Sequence, residues 1–73
     1  MIVTLDLHGY KITQTTNIID SFISDQLLFG IKKIEIITGD SKDIKSVVKK
    51  VVKNYGLQCK EHLYNKQVLT ILF

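Results

Sequence analysis

Four glycines and no proline punctuate this chain, and each glycine falls where the spacing of apolar residues changes. Gly9 and Gly39 close runs that alternate with period two. Gly30 and Gly56 close runs with the helical period of about 3.6. A chain cut in this way reads as alternating strands and helices. Ile2 to Leu7 reads as a strand, with Val3, Leu5 and Leu7 on one face and Thr4, Asp6 and His8 on the other. Thr13 to Phe29 reads as a helix, apolar at Ile19, Phe22, Ile23 and Leu27, with Thr13 as N-cap and Gly30 just beyond its end. Lys33 to Thr38 is the second strand. Ser41 is an N-cap for a second helix reaching about Tyr55, with a full apolar stripe along Ile44, Val47, Val48, Val51 and Val52. Leu57 to Tyr64 and Gln67 to Phe73 read as strands joined by a tight Asn65-Lys66 hairpin.

The order is β-α-β-α-β-β. Right-handed crossovers place both helices on one face of the sheet. The expected fold is therefore α/β: a two-layer sandwich with a four-stranded mixed sheet, three strands parallel and the fourth antiparallel. One sheet face is left open, carrying Asp6, His8, His62, Tyr64, Val68 and Leu72.

A length of 73 residues points to one domain, 1–73. Such a chain buries only about 60% of its unfolded surface, so its core must be economical. The longest apolar stretch, Leu27 to Ile31, is far shorter than the ~20 residues of a membrane span. The amino terminus lacks the pattern of a secretory signal. Cys59 is the one cysteine and forms no internal disulfide, so it reads as a small buried thiol of a reducing compartment. Cytoplasmic location without membrane attachment is the expectation.

The formal charge is +3, and all ten basic residues are lysine. A pI near 9.1 is compatible with nucleic acid as partner. Without arginine, any such contact is made by point charges and never by bidentate forks. Lys42, Lys45, Lys49 and Lys53 form one stripe on the second helix, read either as a phosphate-tracking ridge or as its solvated face.

Sites in parallel sheets gather beyond the carboxyl ends of the strands. Asp6-Leu7-His8-Gly9 and Thr38-Gly39-Asp40-Ser41 both fall there, and the Asn65-Lys66 hairpin flanks the same rim. Asp6 and His8, two apart, are the candidate catalytic pair: a carboxylate orients an imidazole that acts as general acid or base. The alternative is a strand-end histidine making a local hydrogen bond. Gly9, Tyr10, Lys11, Thr38, Gly39, Ser41, Lys42, Lys45 and Lys66 are the candidate phosphate- and nucleic-acid-binding residues. Tyr10 is placed to stack on a base, and Gly39 lets a phosphate approach the N-terminus of the second helix. Asp6 and Asp40 are the residues available to a divalent cation, Mg²⁺ or Mn²⁺, through their carboxylate oxygens.

Leu5-Asp6-Leu7-His8-Gly9, an amphipathic helix, and Ile36-Ile37-Thr38-Gly39 together resemble the Smr (small MutS-related) domain, which carries LDLHG at strand one and HGxG or TGxG after strand two. The resemblance spans essentially the whole chain, as a minimal stand-alone member. It implies a β-α-β-α-β-β fold similar to the C-terminal domain of bacterial translation initiation factor three. It also implies endonuclease activity on RNA or on flexible or branched DNA, with Asp6 and His8 matching the motif residues associated with cleavage. The alternative it leaves open is a non-catalytic module binding RNA, DNA or a ribosome. The chain departs from the family pattern in three places. Ser41 stands where glycine is usual, Asn65-Lys66 where a glycine pair is common, and Ile44-Lys45 where arginines are frequent. The segment found upstream in many stand-alone members is expected to be missing. A third reading is a small protein-interaction factor, monomer or weak dimer, pairing through an exposed β4 or β2 edge.

Overall fold

A computed structural model of the chain describes residues 2–73. Its elements are β1 (Val3–Asp6), α1 (Ile12–Leu28), β2 (Lys33–Ile37), α2 (Lys42–Asn54), β3 (Gln58–Glu61) and β4 (Val68–Leu72). They form one mixed sheet in the order β1-β2-β4-β3. β1 and β2 are parallel, and β4 runs antiparallel to both its neighbours. The β-α-β-α-β-β sandwich expected from the sequence is the one formed.

The core lies between the sheet and the helices. In register across the sheet, Leu5 pairs Ile36 and Ile36 pairs Leu69, while Ile34 pairs Ile71 and Ile71 pairs Cys59. This face packs on Ile19 and Ile23 of α1 and Val48 and Val52 of α2, all essentially inaccessible. Four valines in α2 are mediocre helix formers. Their spacing still decides for helix, because it turns Val48, Val51 and Val52 into the core together with Ile44. Both helices end in the same hydrogen-bond pattern. Gly30 donates to Leu27 and Ile31 to Gln26; Gly56 donates to Lys53 and Leu57 to Val52. A side-chain bond from the Tyr55 hydroxyl to Asp20 Oδ1, 2.7 Å, ties the end of α2 to α1.

Three expectations are corrected. The N-cap of α1 is Lys11, two residues before Thr13, because the Gln14 side chain accepts the Lys11 N–H at 3.1 Å and starts the helix earlier. The tight Asn65-Lys66 hairpin is replaced by a longer loop, and Tyr64 lies in that loop instead of on the third strand. Asn65 is responsible: its side-chain oxygen captures the Gln67 N–H at 3.1 Å and its carbonyl the Val68 N–H at 3.3 Å. Finally, β4 and β2 are interior strands, and the edges are β1 and β3. β4 takes the centre because Val68 to Ile71 are all buried, on both faces of the sheet.

A candidate active site at the strand ends

The first turn is built around Leu7. Its side chain is fully buried, and its N–H donates to Ile37 at 2.9 Å, carrying the β1–β2 pairing one residue past the strand. Beyond it the chain reverses. Asp6 Oδ1 accepts the backbone N–H of His8 at 2.9 Å, and Tyr10 N–H reaches back to the Leu7 carbonyl at 3.2 Å. An aspartate that captures the N–H two residues on closes a turn of this kind. Asp6 and His8 are thus linked through the backbone. The carboxylate that the sequence placed beside the imidazole holds the His8 N–H.

The second turn is held by β4. The N–H groups of Thr38 and Gly39 both donate to the Gln67 carbonyl, at 2.8 and 3.2 Å. The buried Thr38 hydroxyl lies 3.2 Å from the same carbonyl and 3.1 Å from that of Gly39. Its proton serves the turn. Gly39 sits at φ +65°, which its lack of a side chain permits. A Cβ on Gly39 would lie 3.6 Å from His8 Cδ2, so the imidazole edge lies over this bare backbone. Ser41 then caps α2 as expected, its Oγ accepting from Ile44 N–H at 3.2 Å. The Ser41 carbonyl takes the Lys45 N–H. The N–H groups of Lys42 and Asp43 are the ones a helix start leaves without an intrahelical acceptor.

These turns enclose a cleft of about 510 Å³. His8, Gly9, Tyr10 and Lys11 form one wall, and Thr38, Gly39, Asp40 and Ser41 the other. Ile12 and Ile44 supply its apolar part, and sequence reasoning had not named them for the site. Asp6 is not among the lining residues. Lys42 and Lys45 line a separate depression of about 340 Å³ with Ser46, Lys49 and Glu61. Lys66 lies close enough to Glu61 for its charge to act there. The predicted basic residues therefore divide: Lys11 belongs to the cleft, Lys42 and Lys45 to the neighbouring side of α2, and Lys66 to the loop before β4.

Glu61 was also missed by sequence reasoning. It pairs with Lys49 at 2.7 Å, a hydrogen bond that holds its carboxyl below, and the Lys49 ammonium above, their ordinary pKa values. Nothing local in the sequence signals this pair, which joins α2 to β3. Cys59 is half-buried, and burial pushes its thiol pKa up. His62 Nε2 stands 3.8 Å from Glu35 Oε1 on the open sheet face.

The residues offered for a divalent cation do not fit one. Asp6 is bonded to His8 N–H, and both Asp40 oxygens face Gln67 Nε2 at 3.3 and 3.4 Å. Among the described residues, no group of three or more His, Cys, Asp or Glu side chains is gathered for metal binding.

The two turns that build the cleft are also the two sequence motifs, and a family model for the Smr domain matches residues 5–70, which contain both. The chain belongs to the Smr family. Smr domains are nucleic-acid-binding, nuclease-like modules. No curated protein and no solved structure matches the chain. In this Smr domain the motif histidine and the glycine of the second motif meet across the cleft. No helix of the described residues is long and apolar enough to cross a membrane.

Proposed function

We propose that this Smr domain is an endonuclease that cleaves phosphodiester bonds in RNA or in flexible or branched DNA. One observation carries the reading: the His8 imidazole lies against the Gly39 backbone, beside the N-terminus of α2. An imidazole and the backbone leading into a helix N-terminus adjoin, an arrangement suited to phosphoryl cleavage. The scissile phosphate rests at Gly39 and the first turn of α2, where backbone N–H groups face negative charge. Lys11 adds a positive charge from the opposite wall. Neutral His8 takes the proton of the attacking hydroxyl, a water or the ribose 2′-hydroxyl. As the attacking oxygen bonds to phosphorus, the phosphorus–oxygen bond on the opposite side breaks; the leaving oxygen takes its proton from water, and the imidazolium releases its own to solvent. Asp6 positions His8 by holding its N–H. Tyr10, half exposed at the cleft mouth, offers a ring to a neighbouring base. The reading takes residues 1–73 as one working unit acting in the cytoplasm.

The test is cleavage of end-labelled single-stranded RNA by the parent and by His8→Ala, each shown folded by circular dichroism. Loss of a general acid–base group lowers the rate by about 10²–10⁴-fold. Equal rates for the two proteins reject the assignment.

A second reading, a non-catalytic module for RNA, DNA or a ribosomal particle, is favoured by Asp40. Its carboxylate lies in the cleft wall and brings negative charge to the place where a phosphate would rest. This reading expects salt-dependent binding and no turnover.

A further inference from the structure

The loop between β3 and β4 begins at one concavity and ends at the other. Glu61, the last residue of β3, lines the lysine depression. Gln67, the last residue before β4, is bonded to Asp40 in the cleft wall. Between them stand Leu63 and Tyr64, which are 83% and 96% exposed. Charged residues, Glu61 and Lys66, stand on either side of this tip. Around Glu61 gather Lys45, Lys49 and Lys66. Glu61 occupies Lys49. Lys42, Lys45 and Lys66 have no carboxylate partner among the described residues. An exposed ring on the loop that leaves this lysine cluster matches the needs of a single strand of nucleic acid, in which each base offers a face and each linkage a charge.

We propose that Leu63 and Tyr64 form a base-stacking tip that selects unpaired nucleotides. The strand's flanking phosphates lie on Lys42, Lys45 and Lys66, and one splayed base stacks on Tyr64. The inference deepens the nucleic-acid reading above but does not depend on cleavage. A duplex keeps its bases stacked on one another and has none to offer this ring, so the partner chemistry is single-stranded RNA or DNA.

The experiment compares the parent, Tyr64→Ala and Tyr64→Phe by fluorescence anisotropy on three labelled probes. These are a single-stranded oligonucleotide, the same oligonucleotide with abasic sites, and its duplex. Stacking of one base supports about a tenfold affinity difference or more. Tyr64→Ala is expected to bind the single strand about tenfold more weakly, with Tyr64→Phe close to the parent. The abasic strand and the duplex should not distinguish the variants. Unchanged single-strand affinity in Tyr64→Ala overturns the inference, and so does an equal loss on all three probes. If Tyr64→Ala instead abolishes self-association seen by sedimentation, the tip is a protein contact and the inference fails. Binding that needs Tyr64 in a protein that cleaves nothing rejects the nuclease reading alone.

Discussion

The Asp6 carboxylate grips His8 by its backbone, Oδ1 to N–H at 2.9 Å, while the imidazole faces Gly39 across the cleft. Charge is not what this bond needs from Asp6. An amide oxygen accepts the same N–H, so Asp6→Asn should keep the turn and most of the cleavage rate. Asp6→Ala removes the acceptor, costs about 1 kcal/mol of stability, and should lower the rate with a substrate Km little changed. The measurement is the cleavage rate of both variants on single-stranded RNA. If Asp6→Asn is as impaired as Asp6→Ala, the carboxylate acts by its charge on the imidazole and the positioning role is wrong.

Gly39 is constrained by its backbone more than by space. A methyl group there meets only His8 Cδ2, at the ordinary contact distance of 3.6 Å. The φ of +65° is the difficulty, since a side chain in this region costs about 1–2 kcal/mol. Gly39→Ala should lower the urea midpoint accordingly, and Gly39→Asn should lower it less, because asparagine tolerates this conformation. Identical midpoints for Gly39→Ala and the parent would mean that the turn relaxes freely and does not fix the cleft.

The first two strands and both helices were legible because each period ends at a glycine, and the two motif turns were legible because they follow β1 and β2. The strand order was less so. It depends on β4 being buried on both faces, which places it between β2 and β3. The reach of β3 was misjudged because a side chain, that of Asn65, takes a backbone N–H for a turn. The tie between Asp40 and Gln67 spans 27 residues, and local pattern carries no trace of it. For Asp6 and His8, period two placed both side chains on one strand face, but the strand ends at Asp6. It could not show that the chain turns between them, which sends the carboxylate to the backbone.

Glu61 is the acid that moderates the lysine side of α2. Its bond to Lys49 occupies a charge that a phosphate would otherwise recruit. Glu61→Gln should therefore tighten binding to a single-stranded oligonucleotide. It should also steepen the dependence of log affinity on log salt by about 0.7, the counterion share of one added phosphate contact on a single strand. Titration across a series of potassium chloride concentrations measures both. A parallel line with unchanged affinity would place the strand elsewhere on the molecule.

Tyr55 makes one link between the helices sensitive to alkaline pH. Its hydroxyl donates to Asp20 Oδ1 at 2.7 Å, and this bond, followed by burial, raises the phenol above its ordinary pKa of 10.0. The neutral phenol is the bonding form, and a phenolate would face the carboxylate with like charge. The stability from this link is therefore fully present below about pH 10 and is lost as pH rises through the raised value. Tyr55→Phe removes the link at every pH. Melting temperatures of parent and variant should differ at neutral pH and converge as the phenol of the folded parent ionises. A difference that stays constant to the alkaline limit of folding would show that the bond contributes nothing that titrates, and that the two helices are joined by their apolar contacts alone.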